Sequence, residues 1–298
     1  MNIYKKTGWF LVLSCLALSF FSFSTLSAQD KTLVVRYLPP DEDVGSRSQY
    51  YYQLLKLALD KTVDSHGPYE LKPSSKAMNQ RDALKAMMAG QGVDVVHTMT
   101  DKTRERVLLP IRIPLDKGLI GVRLVMVNKS EQDKFLNVKQ IGDLKRYTFG
   151  QGHDWPDTEI LRFNDIKVNT APEYGQLFNM LESKNFDGFP RAVFEIWDEV
   201  ENHKDKNLTV ADGFYIYYPA AMYFFVRKDM TGAAVGRRLE AGLKAAIKDG
   251  SFDKLFNTAM MPYINKAKLK DRIGIKLKNP LLPEETPLSD SSLWYLNL

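Results

Sequence analysis

The order of patterns along this 298-residue chain predicts an α/β protein built as two lobes. Three observations carry that reading. β-branched apolar runs alternate with stretches of helical periodicity, and the alternation restarts after the polar segment Asn128 to Lys134. Two long apolar stretches, 119–127 and 214–226, stand where the chain would pass between the halves.

Ahead of the folded part, Lys5 and Lys6 precede an apolar run from Trp9 to Phe23, and small residues lead on to Ala28. This is the arrangement of a cleavable secretory signal over residues 1–28. The run falls short of the roughly 20 residues that a membrane span needs, and it is rich in serine. Leu26 stands where a small residue is usual, so cleavage after Ser27 is an alternative. Cys15, the one cysteine, lies within the run with apolar residues still to follow, which argues against lipid attachment. The mature chain then holds no disulfide, thiolate nucleophile or cysteine-based metal site. The expected product is a periplasmic protein of the Gram-negative type. Its length suffices for one large domain or two lobes of about 100 to 150 residues.

The chain carries a formal charge of +5 without a basic run, so nucleic acid is not an expected partner. With 44% hydrophobic and 26% charged residues and no obvious association stripe, a globular monomer is expected.

The elements follow in order. Thr32 to Leu38 is a buried-strand pattern stopped by Pro39 and Pro40. After the acidic segment Asp41 to Asp43, Ser48 can cap a helix in which Tyr51, Leu54, Leu55, Ala58 and Leu59 recur at three and four. A second helix, Asn79 to Ala89, ends at Gly90 and leads into a strand over Val93 to His97, and this alternation predicts a parallel sheet. Past Leu119 to Val127, a strand at Tyr147 to Gly150, a helix at Glu173 to Leu181 and a strand at Phe186 to Phe189 repeat the scheme. Phe214 to Val226 reads as two extended segments around Pro219. Val235, Leu239, Leu243 and Ile247 then mark an amphipathic helix that closes near Gly250. The expected division is a first lobe over 29–126, a second over 127–219, completion of the first over 220–265, and an irregular, proline-punctuated strap over 266–298.

Three segments in this order resemble the family 3 periplasmic solute-binding proteins that feed amino-acid importers. Val93 to Arg106 (VDVVHTMTDKTRER) is similar to the family's strand, small-residue loop and Thr-x-x-Arg element, with Thr103 and Arg106 falling on that element. Ile141 to Gly152 (IGDLKRYTFGQG) resembles the start of the family's second lobe, and Tyr218 to Phe252 resembles the return to the first. The resemblance implies a type II periplasmic-binding-protein fold with two extended crossovers, near 125–128 and 219–227. It also implies a small ligand held between the lobes, closure by hinge motion, and delivery to an ABC-type importer. A membrane sensor is the alternative partner.

The same resemblance implies that Arg106 holds a ligand carboxylate, with Arg104 competing for that role and surface pairing of Arg106 with Glu105 or Asp101 as the plainer reading. Thr98 and Thr103 belong to the same binding segment, and Asp101 stands where the family offers a serine. Arg191 takes the neighbourhood of the family's ammonium-binding aspartate, which favours an anionic ligand unless Arg191 only pairs with Glu195 four residues on. Trp155 and Tyr50 are candidate aromatic walls, although Trp155 also suits packing on the lobe surface. His66, His97, His153 and His203 show no metal-ligand spacing, and no phosphate loop or nucleophile elbow occurs, so neither metal nor cofactor is expected. The protein reads as a binder, not an enzyme. The enzymatic alternative is an exported lyase with Asp101 as general base.

Overall fold

The chain's computed structural model describes residues 32–39, 46–76 and 78–296 together with Met1, and Thr32–Leu298 forms one compact unit. The expected signal segment with Cys15, the acidic segment Asp41 to Asp43 and the side chain of Ser48 lie outside the described residues.

The first sheet grows from short strands, most of them followed by an α-helix. In chain order these are β1 (Leu33–Tyr37), α1 (Ser46–Asp60), α2 (Val63–His66), β2 (Tyr69–Pro73), α3 (Gln80–Met88), β3 (Val95–Met99), α4 (Lys102–Val107) and β4 (Leu108–Ile111). The chain then leaves for the second sheet with β5 (Val122–Asn128), α5 (Ile141–Leu144), β6 (Thr148–Gly152), α6 (Pro156–Phe163), β7 (Lys167–Ala171), α7 (Tyr174–Glu182), β8 (Gly188–Ala192), α8 (Ile196–Asn202), β9 (Leu208–Val210) and β10 (Phe214–Tyr217). It returns with β11 (Met222–Arg227), α9 (Met230–Lys248) and α10 (Ser251–Ala267), and crosses again to end in β12 (Ile273–Lys276) and an irregular tail.

Strand order is β2-β1-β3-β11-β4 in the first sheet and β12-β10-β5-β8-β6-β7 in the second, with β9 also on β5. Both sheets are mixed, which corrects the expectation of a parallel sheet. β1 runs parallel to β2 and β3, but β11 arrives from the other lobe and pairs antiparallel with β3 and β4. In the second sheet β5 likewise enters from outside and lies antiparallel to β8 and β10. Alternation along β11 divides the first lobe's core. Phe224 and Val226 join α1 and α9 on one face, while Tyr223 and Phe225 join Ala83, Met87 and Trp294 on the other.

β5 belongs wholly to the second sheet, so the first crossover lies at 118–121, ahead of the expected boundary at 126/127. The second crossover, 218–221, passes directly against it. Tyr218 N–H donates to the Gly121 carbonyl at 3.1 Å, and a Cβ on Gly121 would sit 2.1 Å from the Tyr218 carbonyl oxygen. Only glycine allows that approach.

The expected strap begins later than residue 266. Phe252, Phe256, Met260 and Ile264 repeat every four residues and are buried, so α10 continues to Ala267 with Pro262 inside it. β12 then pairs in parallel with β10. Among the described residues no helix is long and apolar enough to cross a membrane, and no group of three His, Cys, Asp or Glu could hold a metal ion.

Candidate functional site

The starts of α4 and α6 face each other from the two lobes. α4 follows β3 after Asp101, whose extended backbone and carboxylate make it the cap: Asp101 Oδ1 accepts the Arg104 N–H at 2.8 Å. That cap turns the Arg104 side chain back over the helix start. Its Nε lies 3.3 Å from Asp101 Oδ2, Nη1 donates to the Met99 carbonyl at 2.6 Å, and Nη2 donates to Gln80 Oε1 at 2.9 Å. A longer contact, 3.4 Å, runs from Nη2 to the Asp154 carbonyl of the second lobe. Burial pulls the Arg104 pKa below its ordinary value, while Asp101, Asp157 and Asp154 oppose the shift. Beside it, Arg81 Nη1 on α3 pairs with Asp154 Oδ2 at 3.3 Å, both side chains being nearly half exposed. Such a pair contributes about 0 to 1 kcal/mol, so it can be given up if the lobes part.

On the second-lobe side α6 starts with Pro156 in its first turn, and Thr158 Oγ1 donates to the Gly152 carbonyl at 2.8 Å. Asp157 is buried and accepts from Arg123 on β5 and from the hydroxyl of Tyr218 on the second crossover. Arg123 also donates through Nε to Tyr218 Oη at 3.0 Å and through Nη1 to Glu195 Oε2 at 3.3 Å. Burial alone would depress its pKa, but Asp157, Tyr218 and Glu195 together lift it above the ordinary value.

Behind this layer Arg191, at the end of β8, is gripped by Glu199: Nε donates to Oε2 at 2.8 Å and Nη2 to Oε1 at 2.7 Å, with Glu195 Oε2 at 3.0 Å. Tyr174 donates to the same Glu199 at 2.7 Å. The guanidinium sits 4.8 Å from the centre of the Trp155 ring. Its pKa is raised because Glu195 and Glu199 outweigh the effect of burial.

The arrangement thus brings Asp101 and Arg104 opposite the segment that contains Trp155, and places Arg191 behind Trp155 within the second lobe. The other candidates stand apart. Arg106 and Thr103 are exposed on α4. Thr98 is buried on β3 opposite Tyr223, and its hydroxyl has no hydrogen-bond partner among the described residues. Tyr50 is buried in the first lobe, where its hydroxyl donates to the Leu115 carbonyl.

Sequence reading passed over Arg123, Asp157 as an ion-pair partner, Tyr218 and Gln151. Arg123 had a legible signal, since a charged residue within the apolar run LIGVRLVMV requires a buried partner. Gln151, fully buried on β6, donates to the Pro190 carbonyl at 3.3 Å and leaves its Oε1 without a partner among the described residues. Nothing in the sequence marked it.

No known family of proteins matches the chain by sequence, and no curated protein does. Solved structures do. An ancestral arginine-binding protein bound to arginine is similar with a TM-score of 0.55 at 17% identity, over 77% of this chain and 98% of that one. An amino acid ABC transporter substrate-binding protein from Streptococcus pneumoniae bound to L-arginine gives 0.54 at 14% identity, over 78% and 94%. A histidine kinase sensor domain with similarity to periplasmic binding proteins gives 0.54 at 14% identity, over 77% and 96%. The chain therefore has the two-lobed fold of type II periplasmic binding proteins.

Proposed function

We propose that the exported protein captures a small polar solute with an acidic group between its lobes, for delivery to an ABC-type importer. The observation that carries this reading is Arg104, a guanidinium at the facing helix starts whose reach to the other lobe is only the 3.4 Å contact with a backbone carbonyl. A solute carboxylate would offer that fork a charged acceptor in place of a stretched neutral one.

The expectation of an anionic solute rested on Arg106 in a carboxylate-binding position together with Arg191 in the neighbourhood of the ammonium-binding aspartate. Arg191 is neutralised by two glutamates, and Arg106 is exposed on α4, beyond its first turn. The reading therefore narrows to one acidic group, held by Arg104, with Asp101 and Asp154 near enough to favour a donor group elsewhere on the solute. Asp101 is committed to Arg104 as cap and ion-pair partner, which favours a binding role over that of a general base.

Mass spectrometry of what co-purifies with the exported protein would identify the solute, and calorimetry would measure its binding. Arg104→Ala should weaken the solute by about 10-fold to 150-fold, the loss of a charge-assisted hydrogen bond of about 1.5 to 3 kcal/mol. Equal affinity of the variant and the natural protein would overturn the reading.

A further inference from the structure

The chain crosses a third time between α10 and β12, and its tail then crosses back, a fourth passage between the lobes. On the second-lobe side β12 pairs with β10 over four residues, and the Leu277 N–H donates to the Tyr217 carbonyl at 2.8 Å. Asn164, at the end of α6, then clamps the next residue from both sides: its Nδ2 donates to the Lys278 carbonyl at 2.8 Å and its Oδ1 accepts the Lys278 N–H at 3.1 Å. Asn279 Nδ2 donates to the Pro219 carbonyl at 2.8 Å, on the second crossover itself.

Two residues on, the tail is held by the first lobe. The Lys102 N–H donates to the Leu281 carbonyl at 3.0 Å, and Lys102 Nζ donates to the Pro280 carbonyl at 3.0 Å. Lys102 is the first residue of α4, directly after Asp101. Further along, Trp294 is buried against the face of the first sheet that holds Ala83 and Met87. Its ring covers Gly118, where a Cβ would meet it at 2.4 Å, and Tyr295 N–H donates to the Lys117 carbonyl at 2.9 Å.

We propose that this tail is a tether that positions the start of α4, with Asp101 and Arg104, against the start of α6 and limits how far the lobes part. The limit is geometric. Lys278 is fixed to one lobe and Leu281 to the other, and three residue steps of extended chain span at most about 11 Å. Wider opening at that point requires either the Asn164 clamp or the Lys102 bond to break. The crossovers in contact at Gly121 and Tyr218, with the link from α10 to β12, would otherwise act as a hinge with no stop beside the start of α4. The inference rests on the reading that the lobes part to admit solute.

The test lengthens the tether without removing any contact, by inserting six Gly/Ser residues between Asn279 and Pro280. Residues 29–298 hold no cysteine, so Lys85→Cys on α3 and Glu159→Cys on α6 accept spin labels across the cleft. Without added solute, the lengthened protein should show a broader distribution reaching longer distances than the natural tail allows. Amide exchange at Lys102 should also rise by about tenfold, the weight of one lost hydrogen bond. Asn164→Ala, which opens the clamp and leaves the tail's length unchanged, should move both readouts in the same direction. Identical, wide distributions with either tail overturn the tether. Identical, narrow distributions that no added compound changes overturn the lobe motion beneath it.

Discussion

The arginines of the second lobe and the arginine of the first use the same donors for different ends. Arg191 and Arg123 are each 3% exposed at the side chain; Arg191 spends its fork on carboxylates of its own lobe, and Arg123 on two such carboxylates and the Tyr218 hydroxyl. Arg104 is 11% exposed, shares one carboxylate with its own helix cap, and otherwise leans on neutral oxygens, one of them across the cleft. Charge in the second lobe is framework, which fixes β5, β8, α6 and α8 relative to one another. Charge at the start of α4 is the part that a solute could still improve. Residue type alone could not separate these roles, because all three side chains are arginine.

The largest effect should come from breaking the framework. Arg191→Met leaves Glu199 buried without its cation, while Glu195 keeps Arg123, and urea unfolding at pH 7 should show a loss of about 3 to 5 kcal/mol. A loss below about 1 kcal/mol would put Arg191 back among the solute contacts.

Asp116 tests the same contrast where the first lobe meets the crossover. It is fully buried, accepts from the Tyr51 hydroxyl at 3.1 Å and from the Gly118 N–H at 3.1 Å, and burial pushes its pKa up to about 7. Hydrogen bonds and the charge of Arg123 pull the other way but do not win. The folded state therefore holds this proton more tightly than the unfolded chain, with its ordinary value of 3.8. Stability from this group is present at low pH and is lost as pH rises from about 4 to about 7. Asp116→Asn should flatten that slope and be more stable than the natural protein at pH 8, by on the order of 2 to 4 kcal/mol. Parallel slopes of melting temperature against pH in the two proteins would contradict the assignment.

Arg104→Gln should cost less stability, about 1 to 2 kcal/mol by denaturant titration, because its partners are mostly neutral and near water. A loss as large as that of Arg191→Met would erase the distinction between framework and site. The smallest effect belongs to Arg106→Ala, which should stay within about 0.5 kcal/mol in stability and leave solute affinity unchanged. A tenfold loss of affinity would instead restore the carboxylate role expected for it.

The α4 segment is legible from sequence only in part. TMTDKTRER contains two arginines two residues apart, and on a helix such neighbours point to different sides. Which one faces the other lobe depends on where the helix begins, and Asp101 as cap puts Arg104 in the first turn and Arg106 beyond it. The spacing of Asp101 and Arg104 was visible, but the role of Asp101 as the helix cap was not. The Arg191 and Glu195 pair was legible at four residues' separation, whereas the stronger grip of Glu199 comes from the turn between β8 and α8.

What the sequence determined by itself is local and periodic: the strand and helix alternation, the long helix α9, and the division into two lobes. These follow from patterns repeating at two and at three to four residues, which need no distant partner to be read. The helix α10 was equally periodic, with Phe252, Phe256, Met260 and Ile264, and was hidden only by the stop at Gly250 and by Pro262. Tertiary structure alone decided the sheet to which β5 belongs, the pairing of β12 with β10, the burial of Tyr50, and the meeting of Asn164 with Lys278. Each depends on contacts between residues far apart in the chain, whose geometry is set by the packing of whole elements and leaves no mark in local sequence.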